Sequence, residues 1–368
     1  MGKLMVYPFD IESISLARHK KLLYDYSIED LVIPNGWGTS GEDAAIIDYG
    51  SEVGINISSD FFDVLEKVET VFFIRPAVEL NFEKIIYPKI LAAINRRKNI
   101  ICSIILSEDI KKSIADKCSI NKVKFNYIVE DTNLIKNEQD MIYDINTPVI
   151  FVCGNDERTD KYEIQLSLRE NFLEDGYNIS QIGSKEYSTI LGFHSFPDFM
   201  YKSNLSEVEK IIAFNHYVKN IEITEKADVI IIGIPFGIMP FDNQFNNNFG
   251  VMLYEVSNAI VPDYVILSMT FREYDSQDID EIKKIMKYKF GCEVDCFNLS
   301  NTRIDWNGSK EFLKKIYTKI STKLVDSKAN NLKRMGYPVI NIFNDIDKNL
   351  LYTNLINSLS DNEKITWL

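Results

Sequence analysis

Phe151-Val152-Cys153-Gly154-Asn155-Asp156-Glu157-Arg158-Thr159-Asp160-Lys161-Tyr162 is the stretch on which the fold turns. The apolar run Pro148 to Cys153 reads as a buried strand, Gly154 opens a turn, and an amphipathic helix begins near Asp160. Strand, glycine turn and helix in that order read as a phosphate-binding loop that has lost the parts needed to hold a phosphate. In a working loop, backbone N–H groups surround the phosphates, a Lys reaches the outer ones, and the next Ser or Thr holds magnesium. Lys161 is present, but Asp160 stands where a Gly is expected and Tyr162 replaces the small hydroxyl. At about 4 Å and an effective dielectric near 20, one like-charge pair costs on the order of 4 kcal/mol, more than a single Lys comfortably offsets. Asp156 and Glu157 add to the repulsion, and Arg158 partly opposes it. Asp160 also suits a helix N-cap, with Glu163 three residues on forming a capping-box-like pair. Three readings are open: a structural βα turn without turnover, atypical binding of ATP and magnesium, or a site turned to another ligand.

Outward from this loop, apolar runs and amphipathic segments alternate along the chain, which predicts βα units around largely parallel sheets. In the first half, strands are expected at Leu4–Tyr7, Asp30–Ile33, Gly54–Ile57, Thr70–Ile74, Ile100–Leu106 and Phe125–Val129. Helices fall near Ser15–Tyr26, Phe61–Lys67, Phe82–Arg97 and Ser107–Cys118. The polar stretch Asp131–Asn146 places a domain boundary, giving domains 1–146 and 147–368. In the second, strands are expected at Asn178–Ile182, Asp228–Ile234, Asp263–Met269, Glu293–Asn298 and Pro338–Phe343. Its helices fall at Asp160–Glu174, Ser206–Val218, Val251–Ala259, Ile279–Lys289, Ser309–Leu324 and Asn349–Leu359. The expected fold class is α/β, with two doubly wound domains, the first Rossmann-like and the second a degenerate P-loop domain.

Length and composition fit this frame. The 368 residues suffice for two domains, and 45% hydrophobic with 26% charged residues is ordinary for a globular protein. A formal charge of −13 argues against nucleic acid and anionic membrane as partners. No apolar run approaches the roughly 20 residues needed to span a bilayer. The N-terminus passes straight into a strand pattern without a signal-peptide cleavage region, so the cytoplasm is the expected location. The five cysteines show no metal-ligand spacing, and with three histidines no metal site is expected. Cys292 and Cys296 are expected within one strand.

Other constellations are weaker. Gly36-Trp37-Gly38-Thr39-Ser40-Gly41 matches G-x-G-x-x-G letter by letter, but only Glu42 to Asp48 follow before Gly50, too short for a crossover helix. Gly36, Trp37 and Gly38 are read instead as a Gly-rich turn lining a pocket or packing against a partner domain. The strand from Asp228 ends in Gly233, leaving no metal-binding carboxylate at its tip. The loop Gly192-Phe193-His194-Ser195-Phe196-Pro197-Asp198-Phe199 offers His194 and Asp198, either structural or, facing the loop after Gly154, a remnant active site with Lys161. The ligand-binding candidates are therefore Gly154, Asn155, Asp156, Lys161, His194 and Asp198.

Tyr7-Pro8-Phe9-Asp10, Asn35-Gly36-Trp37-Gly38, Cys153-Gly154-Asn155-Asp156, Gly192-Phe193-His194-Ser195-Phe196-Pro197 and Ile234-Pro235-Phe236-Gly237 together resemble the peptide maturation system protein family. Members occur beside radical SAM maturases in clusters for ribosomally made, Cys-rich peptides. The resemblance implies an accessory or binding protein whose partners are a precursor peptide, a carrier protein or the maturase, with self-association an open expectation. More distantly, Gly154-Asn155-Asp156 to Asp160-Lys161-Tyr162 resembles the Gly-Thr-Asp-x-x-x-Gly-Lys-Thr loop of dethiobiotin synthetase-like P-loop proteins. Val261-Pro262-Asp263 resembles the strand after their nucleotide site. That likeness implies the alternative, an ATP-dependent ligase-like enzyme in which Lys161 contacts phosphate and Asp198 assists a metal or substrate. Asp160, Tyr162 and Gly233 depart from its pattern.

Overall fold

The computed structural model describes residues 1–128 and 141–361. Val129, the expected end of one strand, and the polar stretch from Asp131 to residue 140 lie outside the described residues. The chain forms two compact units: Met1–Glu130 with Glu186–Gly192, and Asp131–Lys185 with Phe193–Leu368. No helix among the described residues is long and apolar enough to cross a membrane.

In the first unit the strands are β1 (Gly2–Tyr7), β2 (Tyr26–Val32), β3 (Ile57–Ser58), β4 (Thr70–Phe73), β5 (Asn99–Cys102) and β6 (Phe125–Tyr127). They pair in parallel in the order β3-β2-β1-β4-β5-β6, the order of a Rossmann sheet. All four residues of β4 are buried, as expected of a parallel strand covered on both faces. Helices α1 (Ile14–Arg18), α2 (Phe61–Lys67), α3 (Tyr87–Asn95) and α4 (Glu108–Asn121) form the crossovers. The Asp60 carboxylate caps α2 by accepting from the N–H groups of Phe62 and Asp63. The helix expected over Ser15–Tyr26 is shorter. Helix α1 ends at Arg18, one 3₁₀ turn spans Lys20–Leu22, and Tyr26 is already paired with Gly2 in the sheet. Sheet pairing overrides the helical pattern there.

The second unit contains β7 (Val149–Gly154), β8 (Ile179–Gly183), β9 (His194–Ser195), β10 (Val229–Gly233), β11 (Tyr264–Met269), β12 (Cys296–Leu299), β13 (Thr302–Ile304), β14 (Tyr317–Lys319) and β15 (Val339–Ile340). Seven of these form a parallel sheet ordered β15-β12-β11-β7-β10-β8-β9. Strand β7 lies at its centre, with Ile150, Phe151 and Val152 fully buried. Each such side chain contributes about 1.5–3 kcal/mol on burial. The helices are α5 (Lys161–Glu174), α6 (Glu207–Glu225), α7 (Val251–Ala259), α8 (Ser276–Phe290), α9 (Trp306–Glu311), α10 (Thr322–Arg334) and α11 (Asp345–Asp361). Ser206 and Glu209 form a capping box on α6, and Asp275 with Asp278 forms another on α8.

Two expectations fail here for local reasons. The helix expected over Ser309–Leu324 is broken: α9 stops at Glu311, Leu313 takes a left-handed φ of 52°, and β14 pairs antiparallel with β13. The alternating, β-rich run Ile316–Ile320 is better served by a hairpin than by a helix. Cys292 and Cys296 do not share a strand, because β12 begins at Cys296, although both thiols are buried.

Candidate functional site

The loop between β7 and α5 closes upon itself. A Cβ at Gly154 would collide with the Thr159 hydroxyl and approach the Lys161 stem to 2.9 Å, so only Gly fits this position. Thr159 donates its hydroxyl to the Asp156 carbonyl at 3.3 Å, and the Ser268 hydroxyl donates to the Thr159 carbonyl. The space over Gly154 where a working loop would admit phosphate is thus filled by the loop's own side chains.

Asp156, Asp160 and Lys161 each have an internal partner. Asp156 is fully buried; its carboxylate accepts from Lys315 Nζ at 2.5 Å, Tyr317 Oη at 3.1 Å and the Glu157 N–H at 2.7 Å. Burial and the Asp156 carboxylate push the Tyr317 hydroxyl well above its ordinary range, so it serves as a permanent donor. The Arg158 guanidinium lies 5.1 Å above the Tyr317 ring. Asn155 is also enclosed: its side-chain oxygen accepts from the Thr270 N–H at 2.9 Å, and its amide donates to Tyr274 Oη at 3.1 Å.

Asp160 does not cap α5. It sits at the N-cap position in a left-handed conformation, φ 60°, and its side chain makes no capping bond to the helix. One oxygen accepts from Ser300 Oγ at 2.5 Å and the Asn301 N–H at 3.1 Å, the other from Lys319 Nζ at 2.7 Å. The expected capping-box pair with Glu163 is therefore replaced by bonds to the β12–β13 turn and to β14. Asp is among the few residues that tolerate the left-handed backbone a Gly would supply. The carboxylate that was expected to face phosphate is held instead by its own lysine.

Lys161, only 4% exposed, donates to the Phe236 carbonyl in the loop after β10. Burial pushes its ammonium down to about 8, against the opposing pull of Cys153, Asp156 and Glu157. At the tip of β10, Gly233 lies beneath the Gln165 amide, which a Cβ would strike. Gln165 in turn donates to the Lys161 carbonyl at 3.0 Å and to Ser184 Oγ at 3.1 Å.

Gly154, Asn155, Asp156 and Lys161 therefore converge at one end of β7. His194 and Asp198 do not join them: His194 is on β9, the sheet edge, three strands from β7. Its Nε2 lies 2.5 Å from Glu225, and Asp198 pairs with Lys202 at 3.0 Å. Gly36, Trp37 and Gly38 form an open turn after β2, with Gly36 at φ 91° and Gly38 at φ 77°. Only a 3₁₀ turn, Ala44–Ile47, follows. The true first βα turn of that unit carries Asp10, whose carboxylate accepts from the Glu12 N–H at 2.8 Å and the Ala77 N–H at 2.5 Å. A protein carboxylate thus occupies the switch point between β1 and β4 where a Rossmann domain receives pyrophosphate.

Sequence reasoning missed Lys315, Tyr317 and Lys319. Their spacing of two, within a run carrying Ile316, Thr318 and Ile320, is the signal of one strand face.

These two parallel-sheet units define a two-domain α/β protein. A solved structure described as a DUF1611 family protein from Anabaena variabilis has the same architecture, at TM-score 0.61 and 11% identity over 97% of this chain and 100% of that one. Homoserine dehydrogenase from S. aureus aligns over 36% of this chain and 33% of its own, at 12% identity and TM-score 0.27. No protein-family model matches the sequence, and no curated protein matches it.

Proposed function

We propose that this is a binding protein without normal ATPase turnover, serving as an accessory in the maturation of a ribosomally synthesised, modified peptide. The observation that carries the first half is the internal neutralisation of the loop. Lys315 and Tyr317 hold Asp156, Lys319 holds Asp160, and Lys161 is bound to the Phe236 carbonyl. A triphosphate with magnesium would have to displace these bonds and the Thr159 side chain together. The peptide-maturation half rests on the sequence resemblance, which names a precursor peptide, a carrier protein or a radical SAM maturase as the partner. Five buried free thiols suit a reducing compartment, and the proposal sets the protein in the cytoplasm. Calorimetric titration with ATP, with and without magnesium, tests the loop: the expected result is no binding at millimolar nucleotide. Micromolar binding abolished by Lys161→Ala would establish the ligase-like alternative instead. Co-purification with a maturase or precursor peptide tests the partner, and no association at tens of micromolar would remove that half of the reading.

A further inference from the structure

The second unit contains a cavity of about 710 Å³ beside the closed loop, bordered by the C-terminal ends of β7 and β11. Asn155 and Thr270 form part of its wall, and Phe241, Phe271, Arg303 and Trp306 supply most of its character. This volume lies within the range of pockets that enclose a small organic molecule. Trp306 is 38% exposed and packs edge-on to Phe241 at 5.2 Å, leaving an apolar surface available to a ligand. Three cations reach the cavity, and their pairing sorts them. Arg272 is bound to Asp278 at 3.0 Å and lies 4.2 Å above the Tyr274 ring. Lys328 is paired with Glu273 at the rim. Arg303 is exposed on β13, where its backbone pairs with Thr318, and its guanidinium has no hydrogen-bond or ion-pair partner among the described residues.

One open guanidinium beside an aromatic wall selects a particular chemistry. Its planar fork matches a carboxylate through two parallel bonds. A polyphosphate is disfavoured, because the other two cations are already neutralised and the Glu273 carboxylate repels added negative charge. We propose that this cavity binds a monoanionic carboxylate joined to an aromatic or apolar body, with Arg303 taking the carboxylate and Trp306 and Phe241 taking the body. Two sources have this chemistry: the free C-terminus of a peptide ending in an aromatic residue, and a free aromatic acid.

The test is calorimetric titration of the full chain with N-acetyl-Ala-Phe and with phenylacetate, each as the free acid and as its primary amide. At least one acid binds and its amide does not, and the acid that binds better identifies the source. Arg303→Ala weakens that binding roughly ten- to a hundredfold. Arg303→Lys restores it only in part, because the charge returns without the fork. Arg303 is solvent-exposed, and an unchanged melting curve shows that the variant is folded. The proposal is overturned if neither acid binds at millimolar concentration, if amide and acid bind equally, or if Arg303→Ala binds as the parent does. This outcome is separate from the loop: nucleotide binding through Lys161 would leave the acid titration and its Arg303 dependence unaffected.

Discussion

Lys161 and Asp156 show how single buried charges are accommodated, and they differ in what their removal does. The Lys161 ammonium has a value of about 8 in the folded chain against an ordinary 10.5. Below both values its burial opposes folding. Between them the unfolded chain binds the extra proton, so this group's contribution makes stability rise with pH, by about 3 kcal/mol across the window. Lys161→Met removes that titration while keeping the stem. Urea unfolding at pH 7.5 and pH 10 is expected to show the stability difference between parent and variant moving about 2 kcal/mol in the parent's favour at the higher pH. A difference that stays flat with pH would show that Lys161 titrates as an ordinary surface lysine. Removing Asp156 instead strands a partner, because its side chain is fully buried against a Lys315 that is 14% exposed. Asp156→Asn leaves that ammonium facing a neutral amide and is expected to cost about 3 kcal/mol. Adding Lys315→Met recovers most of the loss; a double-variant loss equal to the sum of the two single-variant losses would mean that the pair is not coupled.

At the scale of elements, the hairpin of β13 and β14 fixes the loop by way of Asp160. Asp160→Gly supplies the residue that a working phosphate loop would have and relieves left-handed strain of about 1 kcal/mol. It also strips Lys319, 12% exposed, of its carboxylate, at a cost of about 3 kcal/mol or more. The variant is therefore expected to be less stable by about 2 kcal/mol in urea unfolding, and still not to bind ATP, because Asp156 and Thr159 keep their places. An Asp160→Gly protein that is more stable, or that binds nucleotide, would remove the hairpin from this account. The same hairpin marks the limit of what the chain discloses by itself. The strand, the turn and the start of α5 follow from local pattern, as do the apolar strands β4, β10 and β11. The lysines that neutralise the loop lie 159 positions downstream of the acids they meet. No local periodicity connects residues so far apart, and Asp160 alone reads equally well as a cap. Ser309–Leu324 looked helical because charged and apolar residues recur at helical spacing there, whereas pairing with Thr302–Ile304 decided its structure.

At the scale of the whole molecule, the chain forms two compact units with a parallel sheet in each, and the division does not follow chain order. Glu186–Gly192 belongs to the first unit although β7 and β8 of the second precede it. Tyr187 anchors this return: it is 2% exposed, packs edge-on to Phe72 at 6.3 Å and donates its hydroxyl to the Glu12 carbonyl at 2.7 Å. Its removal therefore belongs energetically to a core built almost wholly from the first 130 residues. Truncating a buried aromatic side chain costs about 3–5 kcal/mol, including the cavity left behind. If each compact unit opens cooperatively, Tyr187→Ala loses amide-exchange protection in β1, β4 and α1, while β7, β10 and β11 keep theirs. Peptide-resolved hydrogen exchange reads both sets in one experiment. Equal loss in the two sheets would show that the units unfold as one body, and loss confined to β8 and β9, the strands flanking Tyr187 in sequence, would show that chain proximity outweighs packing at this residue.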